Sequence, residues 1–286
     1  MVLTVAENLL RLLRWYAEMG VDMAVDDTPH DRFAESRNKL SVPAEKKALP
    51  AAPQQRPEVA CSPLRQPASS LPPGVIEETA LECASAAANL DDLRERLSRF
   101  NGCGLKATAT QLVFGDGNPS AEIMFVGEAP GADEDRQGVP FVGRAGQLLD
   151  KMLAAIGLDR SKVYIANVVP WRPPGNRTPT PLETGACLPF IRRQIELVDP
   201  KILVCLGAAA AQTLLGCKDG IMRMRGRWFT YMAGERPIRA IAMLHPAYLL
   251  RQPAHKKLAW QDLRMLAKEI GRLHLFAGDH AKTNEG

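Results

Sequence analysis

Between residues 122 and 270 the chain alternates short apolar runs with stretches of helical periodicity, and this alternation restricts the fold more than any other property of the sequence. Strand-like runs fall at 122–126, 163–168, 202–206 and 240–244, and helical spacing fills 146–156, 181–197, 208–215 and 256–270. Short apolar strands alternating with helices are buried on both faces. The expected fold class is therefore α/β, a three-layer α/β/α domain around a central four-stranded parallel sheet. In such sheets ligands bind where the strands end. The first strand runs into Gly127-Glu128-Ala129-Pro130-Gly131, a Gly/Pro turn, and the next three end near Asn167, Gly207 and His245.

Composition divides the chain. Nine of its 22 prolines lie between Pro29 and Pro73, in a stretch rich in Ala, Gln and Ser and poor in aromatics, which buries too little apolar surface to offset chain entropy. The expected organisation is an amphipathic helix over 1–25 (Leu9, Leu10, Leu13, Trp15, Tyr16, Met19), a disordered Pro/Ala-rich linker over 26–80, a domain over 81–275 and a tail over 276–286. The first helix either docks back on the domain or binds a protein partner. A further helix is expected over 90–100.

Residues 1–90 hold 9 Lys+Arg against 12 Asp+Glu, so the net charge of +4 places +7 on the remainder. A basic domain attracts polyanions, nucleic acid first among them, although a solvated basic surface has the same composition. The six cysteines show no local pairing, the N-terminal stretch carries charges among its leucines, and no apolar run is long enough to span a membrane. A cytoplasmic, monomeric protein with no membrane association is expected.

Two further loops carry chemistry. Asn167 opens a segment in which Arg172 and Arg177 flank Pro173-Pro174-Gly175-Asn176, suited to contacting phosphate or to serving as a rigid surface loop. His245 opens His245-Pro246-Ala247-Tyr248-Leu249-Leu250-Arg251, which suits an apolar wedge with a phosphate-holding arginine, or an ordinary strand-to-helix turn.

Together the GEAPG turn, Glu134-Asp135, the RQGVPFVGRAGQLLD run, the NVV…RPPGNR loop and the HPAYLLR loop, in that order, resemble the uracil-DNA glycosylase superfamily, most closely its family 4. The resemblance covers residues 102–270. It implies a monofunctional enzyme of base excision repair that flips uracil out of single- or double-stranded DNA and hydrolyses its N-glycosidic bond. By the family pattern Gly127, Ala129, Pro130 and Gly131 wall the pocket and Phe141 stacks on the base. Asn167 pairs with the uracil edge, and His245 stabilises charge at O2. Glu134 crowds out the thymine methyl. Arg172, Arg177, Leu249, Leu250 and Arg251 hold DNA. Some relatives carry an aspartate where this chain has Ala129, which leaves Glu128 as the nearest candidate base. No lysine in these motifs suggests a Schiff base, so no β-lyase activity is expected. Hypoxanthine and other deaminated bases remain open as substrates.

Family 4 members resembling this chain hold a [4Fe-4S] cluster on four cysteines. Cys103 and Cys187 match two of the positions, while Phe100 and Trp171 occupy the other two and offer no ligand atom. No cofactor is therefore expected, and an aromatic plug is expected in the cluster's place. The rival reading of function is a protein that captures uracil-containing or abasic DNA and turns over poorly. A nucleotide-binding domain of another kind has little support, since the GEAPG turn lacks a phosphate-cradling glycine pattern.

Overall fold

The computed structural model describes residues 73–275. The expected N-terminal helix, most of the linker, Cys61 and the C-terminal tail lie outside the described residues. The order of elements is α1 (Pro73–Ser85), α2 (Leu90–Arg99), β1 (Asp116–Gly117), β2 (Ile123–Gly127), α3 (Ala132–Gln137), α4 (Arg144–Ala154), β3 (Tyr164–Asn167), α5 (Pro181–Val198) and β4 (Ile202–Leu206). The chain continues through α6 (Ala208–Leu215), α7 (Ile221–Met224), β5 (Trp228–Ala233), β6 (Arg236–Met243), α8 (Pro246–Arg251) and α9 (Lys256–Arg272).

The strands form one sheet in the order β1-β3-β2-β4-β6-β5. Its centre, β3-β2-β4-β6, is parallel throughout, with Val126 opposite both Ala166 and Cys205. Strand residues alternate between the faces. Ile123, Phe125, Val204 and Leu206 join a cluster with Leu149 and Leu153 of α4, Leu249 of α8 and Leu263 of α9. Met124, Val126, Leu203 and Cys205 join the opposite cluster with α1, α2, α5 and α6. Helices thus cover both faces, as a sheet of continuous apolar strands requires.

Two expectations need correction. The sheet has six strands, because antiparallel strands flank the parallel four on either edge: β1 beside β3, and β5 beside β6. Ala233 pairs with Arg236 across Gly234-Glu235, a two-residue hairpin loop with Gly234 at φ 60°. The second correction concerns the domain start. Helix α1 begins at Pro73, inside the residues assigned to the linker, and buries Ile76, Ala80 and Ala84 at i, i+4 spacing against the first cluster. Small residues make this stripe, so it has the composition of linker but the periodicity of a packed helix.

Candidate functional site

The four parallel strands deliver Glu128, Asn167, Gly207 and His245 to one edge of the sheet, around a cavity of about 710 Å³. Gly127 allows the walls to close: a Cβ there would overlap Asn167 Oδ1 and the Phe141 ring. The Val168 and Val169 amides donate to the carbonyls of Gly127 and Glu128 at 2.9 and 3.0 Å, locking the first two loops together.

Phe141 is buried and adopts φ 55°, a left-handed conformation that an aromatic residue holds only when its surroundings impose it. The Arg160 guanidinium supplies part of that constraint. It donates to the carbonyls of Phe141 and Pro140 while pairing with Asp116 at 2.7 Å and Asp150 at 2.8 Å. The Phe141 ring lies 5.5 Å from the His245 ring at 29°.

Glu134 borders the cavity, but its carboxylate accepts from the backbone N–H groups of Gly131 (3.1 Å), Val142 (3.0 Å) and Gly143 (2.9 Å). It clamps the two loops that carry the first motif and Phe141. Asp135, one residue on, ties α3 instead to residues 110–111, accepting from Thr110 and Gln111.

Asn167 is 4% exposed and its Oδ1 has no hydrogen-bond partner. Glu128 Oε1 is also buried and unpartnered. An unpaired buried acceptor is costly, so two at one cavity mark groups held ready for a donor. Burial raises the Glu128 pKa, and a hydrogen bond from Thr178 partly opposes the rise.

His245 caps α8 by accepting the Ala247 N–H on Nδ1 at 3.1 Å. This bond leaves the proton on Nε2, so the ring is a neutral donor. Burial, aided by the charge of Arg251, lowers its pKa to about 4. Tyr248, also on the cavity wall, shares a 2.7 Å hydrogen bond with His255.

The cavity thus gathers Glu128, Ala129, Pro130, Gly131, Glu134, Phe141, Asn167, Arg177, His245 and Arg251. The expected DNA contacts are placed variously. Leu249, expected as part of the wedge, is 1% exposed within the α4–α9 core, where the i, i+3 turn of α8 points it inward. Leu250 is partly buried and outside the cavity lining, whereas Arg251 is exposed at its rim. Arg172 donates to Asn176 Oδ1 at 2.7 Å and lies 3.9 Å from Asp135. Arg177 grips Glu183 through two bonds of 2.8 and 2.6 Å. Both arginines brace their own loop. Arg160, Thr178 and Tyr248 escaped sequence reasoning, because their roles depend on long-range contacts that no local spacing encodes.

On the far side of this loop Phe100, Cys103, Trp171 and Cys187 are all buried in one cluster, with the Phe100 ring 5.0 Å from Phe190. The Cys103 and Cys187 thiols hydrogen-bond each other, and that contact together with burial raises Cys187 well above the ordinary thiol range. Among the described residues no group of three or more His, Cys, Asp or Glu side chains could hold a metal ion. Two thiols beside two packed aromatic rings do not fit a four-thiolate cluster.

A parallel sheet whose strand ends enclose a cavity lined by the Phe141 and His245 rings and the unpartnered Oδ1 of Asn167 defines an α/β protein with a ligand crevice at its strand ends. Residues 114–264 match the model of the uracil-DNA glycosylase superfamily, and the chain belongs to that family. It is 42% identical to a type-4 uracil-DNA glycosylase of Archaeoglobus fulgidus over 188 residues, covering 64% of this chain and 94% of that protein. It is 43% identical to the type-4 enzyme of Thermotoga maritima over 177 residues, or 61% of this chain and 91% of its relative. A type-5 uracil-DNA glycosylase of Pyrobaculum aerophilum matches 35% of this chain and 50% of its own length at 35% identity.

Proposed function

We propose that the protein is a monofunctional uracil-DNA glycosylase of base excision repair, which hydrolyses the bond between uracil and deoxyribose and leaves an abasic site. The observation that carries this reading is the unpartnered Oδ1 of buried Asn167, facing the same cavity as Phe141 and a neutral His245. Uracil offers N3–H to that oxygen and O4 to the amide nitrogen. Cytosine presents the reverse pattern and leaves both groups unpaired.

Phe141 stacks on the flipped base, and its left-handed backbone holds the ring at the His245 side of the cavity. As the glycosidic bond breaks, its electron pair leaves with uracil N1 and negative charge grows at O2. The His245 Nε2–H stabilises that charge without giving up its proton, helped by backbone amides beside Glu128. Water then adds to the sugar C1′ and releases a proton, for which Glu128 is the candidate acceptor; Ala129 leaves no carboxylate at the third position of the turn. Glu134 narrows the pocket on the side of uracil C5 while its oxygens stay committed to the loops. Arg251 contacts DNA phosphate at the rim.

The protein carries no iron–sulfur cluster in this reading. Phe100 and Trp171 fill the volume with apolar rings, and iron and sulfide assays on anaerobically purified protein should find far less than stoichiometric iron. Free thiols at Cys83, Cys103, Cys187, Cys205 and Cys217 suit a reducing cytoplasm, and we place a monomer there. Single- and multiple-turnover cleavage of a uracil-containing oligonucleotide tests the function. Repeated turnover is expected; a burst that stops at one equivalent would favour capture of the abasic product.

A further inference from the structure

We infer that the exposed face of α9 is a second nucleic-acid contact, a track for single-stranded DNA flanking the flipped nucleotide, with Trp260 stacking on one of its bases. This inference rests on the glycosylase reading and extends it beyond the pocket. Lys256, Lys257, Trp260, Gln261, Arg264 and Lys268 are all exposed, Trp260 to 45%. At 3.6 residues per turn they fall within an arc of about 140°, and from Lys256 to Lys268 they cover roughly 18 Å of helix.

Among the described residues the charges on this face have no ion-pair partner. The two acids of α9 both turn inward: Asp262 is fully buried on Arg225 at 2.7 Å, and Glu269 is held by Arg239 and Arg272 at 2.8 and 2.7 Å. No described carboxylate lies within ion-pair distance of Lys256, Lys257, Arg264 or Lys268. Lys256 and Lys257 moreover open the helix, with no acid in its first turn to offset the positive end of the dipole. An anion resolves that repulsion.

The face is continuous with the cavity. Tyr248 on the cavity wall stacks on His255 at 5.6 Å, and His255 immediately precedes Lys256. Arg251 at the rim, then Lys256 and Lys257, carry positive charge from the pocket onto the helix. An exposed tryptophan among cations suits an unpaired strand, whose bases present π faces, better than a duplex, whose bases are stacked internally. It also suits DNA better than an acidic protein surface, which would leave the indole without a planar partner.

The test is a titration of the full chain with a uracil-free single-stranded oligothymidylate, followed by tryptophan fluorescence and anisotropy at several salt concentrations. Wild type should show quenching that Trp260→Phe abolishes, and Trp260→Ala should weaken binding on the order of tenfold. The triple variant Lys257→Ala/Arg264→Ala/Lys268→Ala should lower the slope of log affinity against log salt by about 2, from three lost contacts at about 0.7 each. Quenching that persists in Trp260→Phe, or a triple variant with wild-type affinity and slope, overturns the assignment; the second result would point to an acidic protein as occupant. Because this DNA lacks uracil, the outcome is independent of excision. A wild type that binds oligothymidylate through Trp260 but releases no uracil would sink the glycosylase reading alone.

Discussion

His245 is held neutral by its surroundings, and that state has a thermodynamic signature. Its pKa falls from 6.5 to about 4 on folding, so between those values the unfolded chain binds more protons than the folded one. Stability contributed at neutral pH is therefore lost as pH falls from about 6.5 to 4, by on the order of 3 kcal/mol. Urea titrations at pH 7 and pH 4.5 should show a larger loss for wild type than for His245→Asn. In the proposed mechanism the same replacement withdraws the imidazole Nε2–H from uracil O2 and leaves only a shorter amide there, and a fall in single-turnover rate on the order of a hundredfold or more is expected. Glu134→Ala should act differently. It frees three backbone N–H groups, so thermal melting should show lost stability along with lost activity, whereas His245→Asn should spare the fold at pH 7.

The same division between site and scaffold runs through the elements. Helix α8 presents His245 at its start and Arg251 at its end, with Leu249 packed inward between them. Leu249→Ala should lower stability by about 2–4 kcal/mol in chemical denaturation. Arg251→Ala should leave stability within about 0.5 kcal/mol and weaken DNA binding in anisotropy titrations. The parallel core strands and the ends that carry Glu128, Asn167 and His245 were legible in the sequence because buried strands are continuously apolar and their ends break in Gly, Pro and polar residues. Strand β5 was less legible: Trp228-Phe229-Thr230-Tyr231 has strand composition, but only the Gly234 turn pairs it with β6. Helix α1 was hidden because its buried stripe is built largely from alanine, whose burial is a matter of spacing. Ile76→Ala in that stripe should cost about 2–4 kcal/mol by the same denaturation measurement, setting the domain boundary before residue 81.

For the molecule as a whole, the pairing of side chains decided what sequence could not. Arginines in the loop between β3 and α5 look free in one dimension, yet Arg172 and Arg177 are taken up by Asn176 and Glu183, whereas Arg251, Lys256, Lys257, Arg264 and Lys268 are exposed. The burial of Leu249 and the ion pair of Arg177 with Glu183 were not legible in the sequence for that reason, since burial and ion pairing are long-range properties. Phe100 and Trp171 stood out in the sequence as replacements of two cysteines, and both are buried in one apolar cluster with Cys103 and Cys187. The central claim is that an amide edge at Asn167 selects uracil for excision. It is tested most directly by single-turnover release of uracil from a defined oligonucleotide by wild type and by Asn167→Ala at pH 7. The account predicts uracil release by wild type and a rate on the order of a hundredfold lower or less in the variant. Release at equal rates, or none by wild type, would contradict it.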